Sequence, residues 1–125
     1  RIGTPWKYCT SVPLHGHSTL LFAPGQTDGF LYLIHSGAVA LFKELPQAGQ
    51  PWPSPVAVYR QGWFLNREVL MSAPSRYYAV AIEDGEVLCW SQSQWWKMAC
   101  ERPLMMSEML KAAMKQQARD TVSFD

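Results

Sequence analysis

FLYLIHSGAVALF, residues 30–42, decides how the chain is read. Two apolar segments, LYLIHS and AVALF, flank Ser36-Gly37, so the expectation is two strands joined by a tight turn. Gly37 permits the positive φ that such a turn requires. Tyr32 and Ile34 sit two residues apart and share one face of a strand.

Outward from this stretch, short apolar segments alternate with turn residues. VPLHGH (12–17) reads as a weak first strand and TLLF (19–22) as a second, stopped at Pro24-Gly25. GQTDG (25–29) is a turn cluster, with Gly25 and Gly29 expected to take the same positive φ as Gly37. ELPQAGQPWPSP (44–55) is a proline-rich loop. VAVYR (56–60) is a strand, and FLNREVLM (64–71) fits one helical turn or an irregular segment. YYAVAI (77–82) and EVLCW (86–90) are strands split by Glu83-Asp84-Gly85, a hairpin signal.

After Trp90 the period changes. Ser91 is a helix cap and Pro103 a stop, so a helix is expected between them. LMMSEMLKAAMKQQARD (104–120) is rich in helix formers. Met105, Met109, Ala112 or Ala113, and Gln116 recur at helical spacing and give an apolar face that reads as core or as the surface for a helix partner. The clustered Trp90, Trp95 and Trp96 imply two packed rings and one exposed. The expected units are a lead-in segment at 1–11, a barrel at 12–90, two helices at 91–120 and a tail at 121–125.

The totals bound the function. The chain has 125 residues, 48% of them hydrophobic, which suits one domain with a real core. A net charge of +1 gives no basic face for nucleic acid. No apolar run approaches the ~20 residues that cross a bilayer, so no direct membrane insertion is expected. Cys9, Cys89 and Cys100 are odd in number and widely spaced, which reads as reduced thiols in a cytoplasmic domain. Arg1 in place of Met reads as a fragment or a processed chain.

Phe22, Gly25, Tyr32, Ile34, Gly37 and Val39 follow the spacing of a family pattern. With the Gly-Trp-Phe step at 62–64, a later arginine, two more strands and two helices, the chain resembles the cyclic nucleotide-binding domain family over about residues 12–118. The resemblance implies a mainly β fold with C-terminal helices, a β-barrel or double-stranded jelly roll. It also implies a phosphate-binding cassette at 62–80.

In that family a Gly-Glu pair opens the cassette, the glutamate holds the ribose hydroxyl, and an arginine pairs with the cyclic phosphate. Here Leu65 stands for the glycine and Asn66 for the glutamate. Arg76 is matched to the arginine, with Ser75 as the alternative register. Tyr77 and Tyr78 stand where small residues are expected. Losing one charge-assisted contact costs ~1.5–3 kcal/mol. The cassette therefore reads as degenerate and closed by a tyrosine. Asn66 otherwise reads as a helix cap, and Arg76 as a surface cation stacked on Tyr77 or Tyr78.

The function expected is a non-enzymatic regulatory or assembly domain of a larger protein, a membrane transporter or channel among the settings. Its partners would be other domains of that protein, or a second copy, met through the helix at 104–118. It needs no cofactor. Two rivals remain. One is a sensor of cyclic AMP, cyclic GMP or another small anion through Arg76. The other is a cupin-type metal enzyme using His15 and His17, which alternation would place on one face of a strand. Residues 20–23 hold no carboxylate for that metal, and His35 lies on another strand. No Ser-His-Asp set, no phosphate-cradling Gly loop with a lysine and no paired carboxylates stand out.

Overall fold

A computed structural model describes residues 5–122. Residues 1–4 of the expected lead-in and 123–125 of the expected tail lie outside the described residues. A 3-10 turn at Pro5–Lys7 leads into β1 (Thr10–Leu14), β2 (Leu20–Phe22), β3 (Leu31–Phe42), β4 (Ala57–Tyr59), β5 (Phe64–Leu65) and β6 (Tyr78–Trp90). A 3-10 helix spans Arg67–Met71, and α1 (Gln92–Glu101) and α2 (Pro103–Val122) close the chain. The strands form one antiparallel sheet in the order β1-β6-β3-β4, with β2 also on β6 and β5 also on β3.

The opening stretch is not a hairpin. Residues 31–42 form one strand that pairs with β6 from Leu31↔Trp90 to Phe42↔Tyr78. Ser36-Gly37 is a bulge within it, where the register shifts and Gly37 takes φ +86°. Glu83-Asp84-Gly85 is likewise no turn but the matching bend in β6. The extra residue of the bulge reverses the alternation. Even residues, Tyr32 and Ile34, face the inner core before it, and odd residues, Val39 and Leu41, face it afterwards.

This explains why the stretch is apolar at nearly every position. One face of β3 fills the roll with Phe22, Val87 and Leu14. On the other face, Leu31 and Leu33 pack under Trp90, Trp95 and Met98 of the helical layer. Trp90 and Trp95 meet edge to face at 5.3 Å and are buried, whereas Trp96 is exposed.

Ser91 caps α1 in a full capping box with Gln94. Pro103 ends α1 by opening α2, where its missing N–H costs nothing. Of the two readings of the α2 stripe, core and partner surface, the structure shows the first: the stripe seats the helix on its own barrel. Met105 and Ala113 are buried, and Met106 and Met109 pack against the helical-layer core. No described helix is long and apolar enough to cross a membrane.

Candidate functional site

The cassette segment runs from β5 through the 3-10 helix to the start of β6. Asn66 bridges β5 and that helix in left-handed backbone, φ 65° and ψ 40°. Asparagine tolerates this region better than most side chains. It is a cap by position only, because its side chain makes no capping bond. Instead Nδ2 donates to the Phe30 carbonyl at 2.9 Å, and Oδ1 accepts from the Ser75 hydroxyl at 2.7 Å. Asn66 and Ser75 are both buried.

Backbone bonds fix the same clasp. Ser75 N–H donates to the Gln26 carbonyl at 2.8 Å, and Gly25 N–H donates to the Ser75 carbonyl at 2.9 Å. Gly25 takes φ +86°. Gly29, expected to share that conformation, does not. Its value is space: a Cβ there would lie 3.1 Å from Asn66 Nδ2 and 3.2 Å from Gln26 Nε2. The sequence reading missed this clasp, although Gln26, Gly29 and Ser75 were all in view.

The segment encloses a cavity of about 250 Å³. Leu41, Tyr59, Trp63 and Tyr77 line it, together with Arg67, Glu68 and Arg76. The cavity is thus not filled, contrary to the expectation of closure. Of the two tyrosines only Tyr77 reaches it. Tyr78 packs with Ala40, Phe42 and Val80 on the opposite face, because successive strand residues point to opposite sides. Of the two registers weighed, Arg76 lines the cavity, while the Ser75 hydroxyl is turned to Asn66. Arg76 is exposed and lies 5.8 Å from the centroid of the Tyr77 ring. Leu65 is buried on the cavity wall, paired with Tyr32.

The histidines do not converge. His15-Gly16-His17 lies in the turn after β1, not on a strand, so alternation does not align the two rings. His17 has φ 64° and leans on Trp52 at 5.9 Å. His35 is held by Glu86 at 2.9 Å. Among the described residues no three His, Cys, Asp or Glu side chains gather as a metal site. Ser11, Glu86 and His35 form a chain, but Glu86 sits between the other two. A carboxylate in that place accepts from both, so the histidine cannot act as base for the serine.

The comparisons agree with this architecture. The family model of the cyclic nucleotide-binding domain matches residues 17–101. The chain belongs to the cyclic nucleotide-binding domain family. Among solved structures it is similar to the catabolite activator protein of Thermus thermophilus, at 24% identity and TM-score 0.63, over 94% of this chain and 53% of that one. It is similar to the N-terminal domain of a transcriptional regulator from Streptomyces coelicolor A3(2), at 19% and 0.61, over 95% and 80%. It is also similar to the c-di-GMP responsive global regulator CLP of Xanthomonas campestris, at 15% and 0.62, over 94% and 57%. The chain thus spans about half the length of two of these. At such identities the likeness concerns the fold. No curated protein matches the chain by sequence.

Proposed function

We propose that this chain is a non-enzymatic regulatory domain of a larger protein, whose cassette does not take cyclic nucleotides in the family's usual way. The observation that carries the reading is the engagement of Asn66. The family residue at this position faces a ribose hydroxyl, whereas both polar atoms of Asn66 are committed to Phe30 and Ser75. Freeing them to meet a ligand would leave the buried Ser75 hydroxyl and the part-buried Phe30 carbonyl without this partner. The cavity of about 250 Å³ also lies below the ~300 Å³ at which small-molecule sites begin. A larger protein, including a membrane transporter or channel, remains the proposed setting. The surface of α2 left for a partner is the one bearing Leu104, Leu110 and Met114, all exposed.

A second reading has one observation in its favour. Arg67 and Arg76 both line the cavity beside a single carboxylate, Glu68, so a small anion meets a net positive lining. Calorimetric titration with cyclic AMP and cyclic GMP to millimolar concentration tests both. No saturable heat from folded protein supports the first reading. Micromolar saturation that disappears in Arg76→Ala overturns it in favour of a sensor.

A further inference from the structure

A second cavity, of about 330 Å³, lies between α2 and the cassette's 3-10 helix. Phe64, Leu70, Trp95, Leu110 and Met114 form apolar walls, and among the described residues Arg67 is the only charged one that lines it. The volume falls within the ~300–1,000 Å³ of small-molecule sites. Met114 leaves 66% of its surface in water, so this wall is open to an incoming ligand. Arg67 is exposed and takes part in no ion pair among the described residues.

Apolar walls with one unpaired cation and no carboxylate complement an anion that carries an apolar body. We propose that this cavity binds an amphipathic monocarboxylate of the medium-chain fatty acid class. The guanidinium of Arg67 donates to the carboxylate, whose two oxygens match its planar fork. The tail lies between the rings of Phe64 and Trp95 on one side and Leu110 and Met114 of α2 on the other. Methionine suits this wall because its unbranched chain adapts to the occupant. A single guanidinium matches a single negative charge, which favours a carboxylate over a phosphate dianion. Such a ligand bridges α2 and the cassette segment, so its binding holds the helix on the barrel.

The test is calorimetric titration of the 125-residue chain with octanoate, and with 1-octanol as the uncharged control. Octanoate saturates below about 1 mM and 1-octanol binds at least tenfold more weakly, the factor that about 1.4 kcal/mol represents. Arg67→Gln raises the octanoate Kd at least tenfold. Arg67→Lys, which keeps the charge, recovers part of the loss. Met114→Glu, an exposed change on the opposite wall, weakens octanoate by repulsion and leaves the thermal midpoint in place. Arg76→Ala leaves octanoate binding unchanged, which separates this cavity from the cassette pocket. Absence of saturation, equal binding of 1-octanol and octanoate, or indifference to Arg67→Gln overturns the proposal.

Discussion

The Ser75 hydroxyl donates to Asn66 Oδ1 at 2.7 Å, and neither residue reaches solvent to any extent. The bond ties the two ends of the cassette together across nine residues. The second bond of Asn66, to the Phe30 carbonyl, ties that segment to the loop before β3. On the proposed alignment Asn66 stands where a family residue faces a ligand, and here it holds the protein to itself.

Asn66→Ala should destabilise the fold by about 1–3 kcal/mol, because it orphans the buried Ser75 hydroxyl and removes the partner of the part-buried Phe30 carbonyl. Ser75→Ala should cost less, since Asn66 keeps its bond to Phe30. The double variant should be less destabilised than the sum of the two, as expected for groups in one network. Urea unfolding of the three variants checks this. Additive losses would mean that the bond contributes nothing to the clasp.

The two bends in β3 and β6 predict a second set of losses. A Cβ on Gly37 would lie 2.7 Å from the Asp84 carbonyl oxygen, in backbone already at φ +86°. A Cβ on Gly85 would meet the Ser36 carbonyl and lie 2.7 Å from Gly37 Cα. Gly85→Ala should cost about 1–3 kcal/mol through overpacking, and Gly37→Ala more, through added backbone strain. Gly49→Ala is the control, with φ +79° but open space around it, and should cost only about 1–2 kcal/mol. A shift in the denaturation midpoint at constant slope is the measurement. Equal losses at Gly37 and Gly49 would remove the role of the close approach.

These bends also show where the sequence was legible and where it was not. The alternation in Tyr32 and Ile34, the helix cap at Ser91 and the split of the tryptophans all follow from local chemistry, and they appear as read. Ser36-Gly37 and Asp84-Gly85 did not, because a glycine signals positive φ or close approach without saying which strand it meets. Two apolar segments around a glycine fit a hairpin and a bulged strand equally well. Only the partner strand, some fifty residues away, decides between them. The site was less legible still. Family spacing pointed to the segment at 62–80 and to Arg76, which line one cavity, yet the commitment of Asn66 depends on Phe30 and Ser75, which sequence order keeps apart.

The seat of α2 depends on Gly62. A Cβ there would lie 2.6 Å from Gln116 Cβ, and Gly62 holds φ +90°. Gln117 Nε2 donates to the Gly62 carbonyl at 3.2 Å. Gly62→Ala should lift α2 and speed amide exchange across residues 105–118 by at least about tenfold, for a local loss near 1.4 kcal/mol. The α1 amides should keep their protection, since Trp95 and Met98 remain packed on Trp90. Unchanged exchange in α2 would show that the helix is held by its methionines alone.

Burial raises the Cys9 thiol from an ordinary 9.0 to about 11, with the nearby Cys89 adding to the effect. The fold therefore favours the neutral thiol. Its contribution is complete below pH 9.0 and is lost as pH rises to about 11. Cys9→Ala should flatten the decline of stability across that window. In native protein at neutral pH an alkylating agent should modify exposed Cys100 first, with Cys9 and Cys89 reacting only on unfolding. Mass spectrometry of the alkylated chain reads this directly. Early labelling of Cys9 would contradict its burial.

Glu86 sets the acid side of the profile. The Ser11 hydroxyl donates to it at 2.6 Å and the His35 ring lies 2.9 Å away. Ser11 contributes most to holding the carboxyl below its ordinary 4.5, His35 adds to that, and partial desolvation opposes it. A lowered folded-state value stabilises the protein above pH 4.5, and the gain is lost as pH falls through the folded value. Glu86→Gln should therefore reduce the acid-side slope of stability and leave the alkaline side as it is. Ser11→Ala and His35→Ala should each flatten the slope in part, since each removes a group that holds the carboxyl down. Urea midpoints followed from about pH 7 down to about pH 3 measure this, and solvent screening at this exposed site keeps the differences small. An unchanged slope in Glu86→Gln would place the acid sensitivity on another carboxylate.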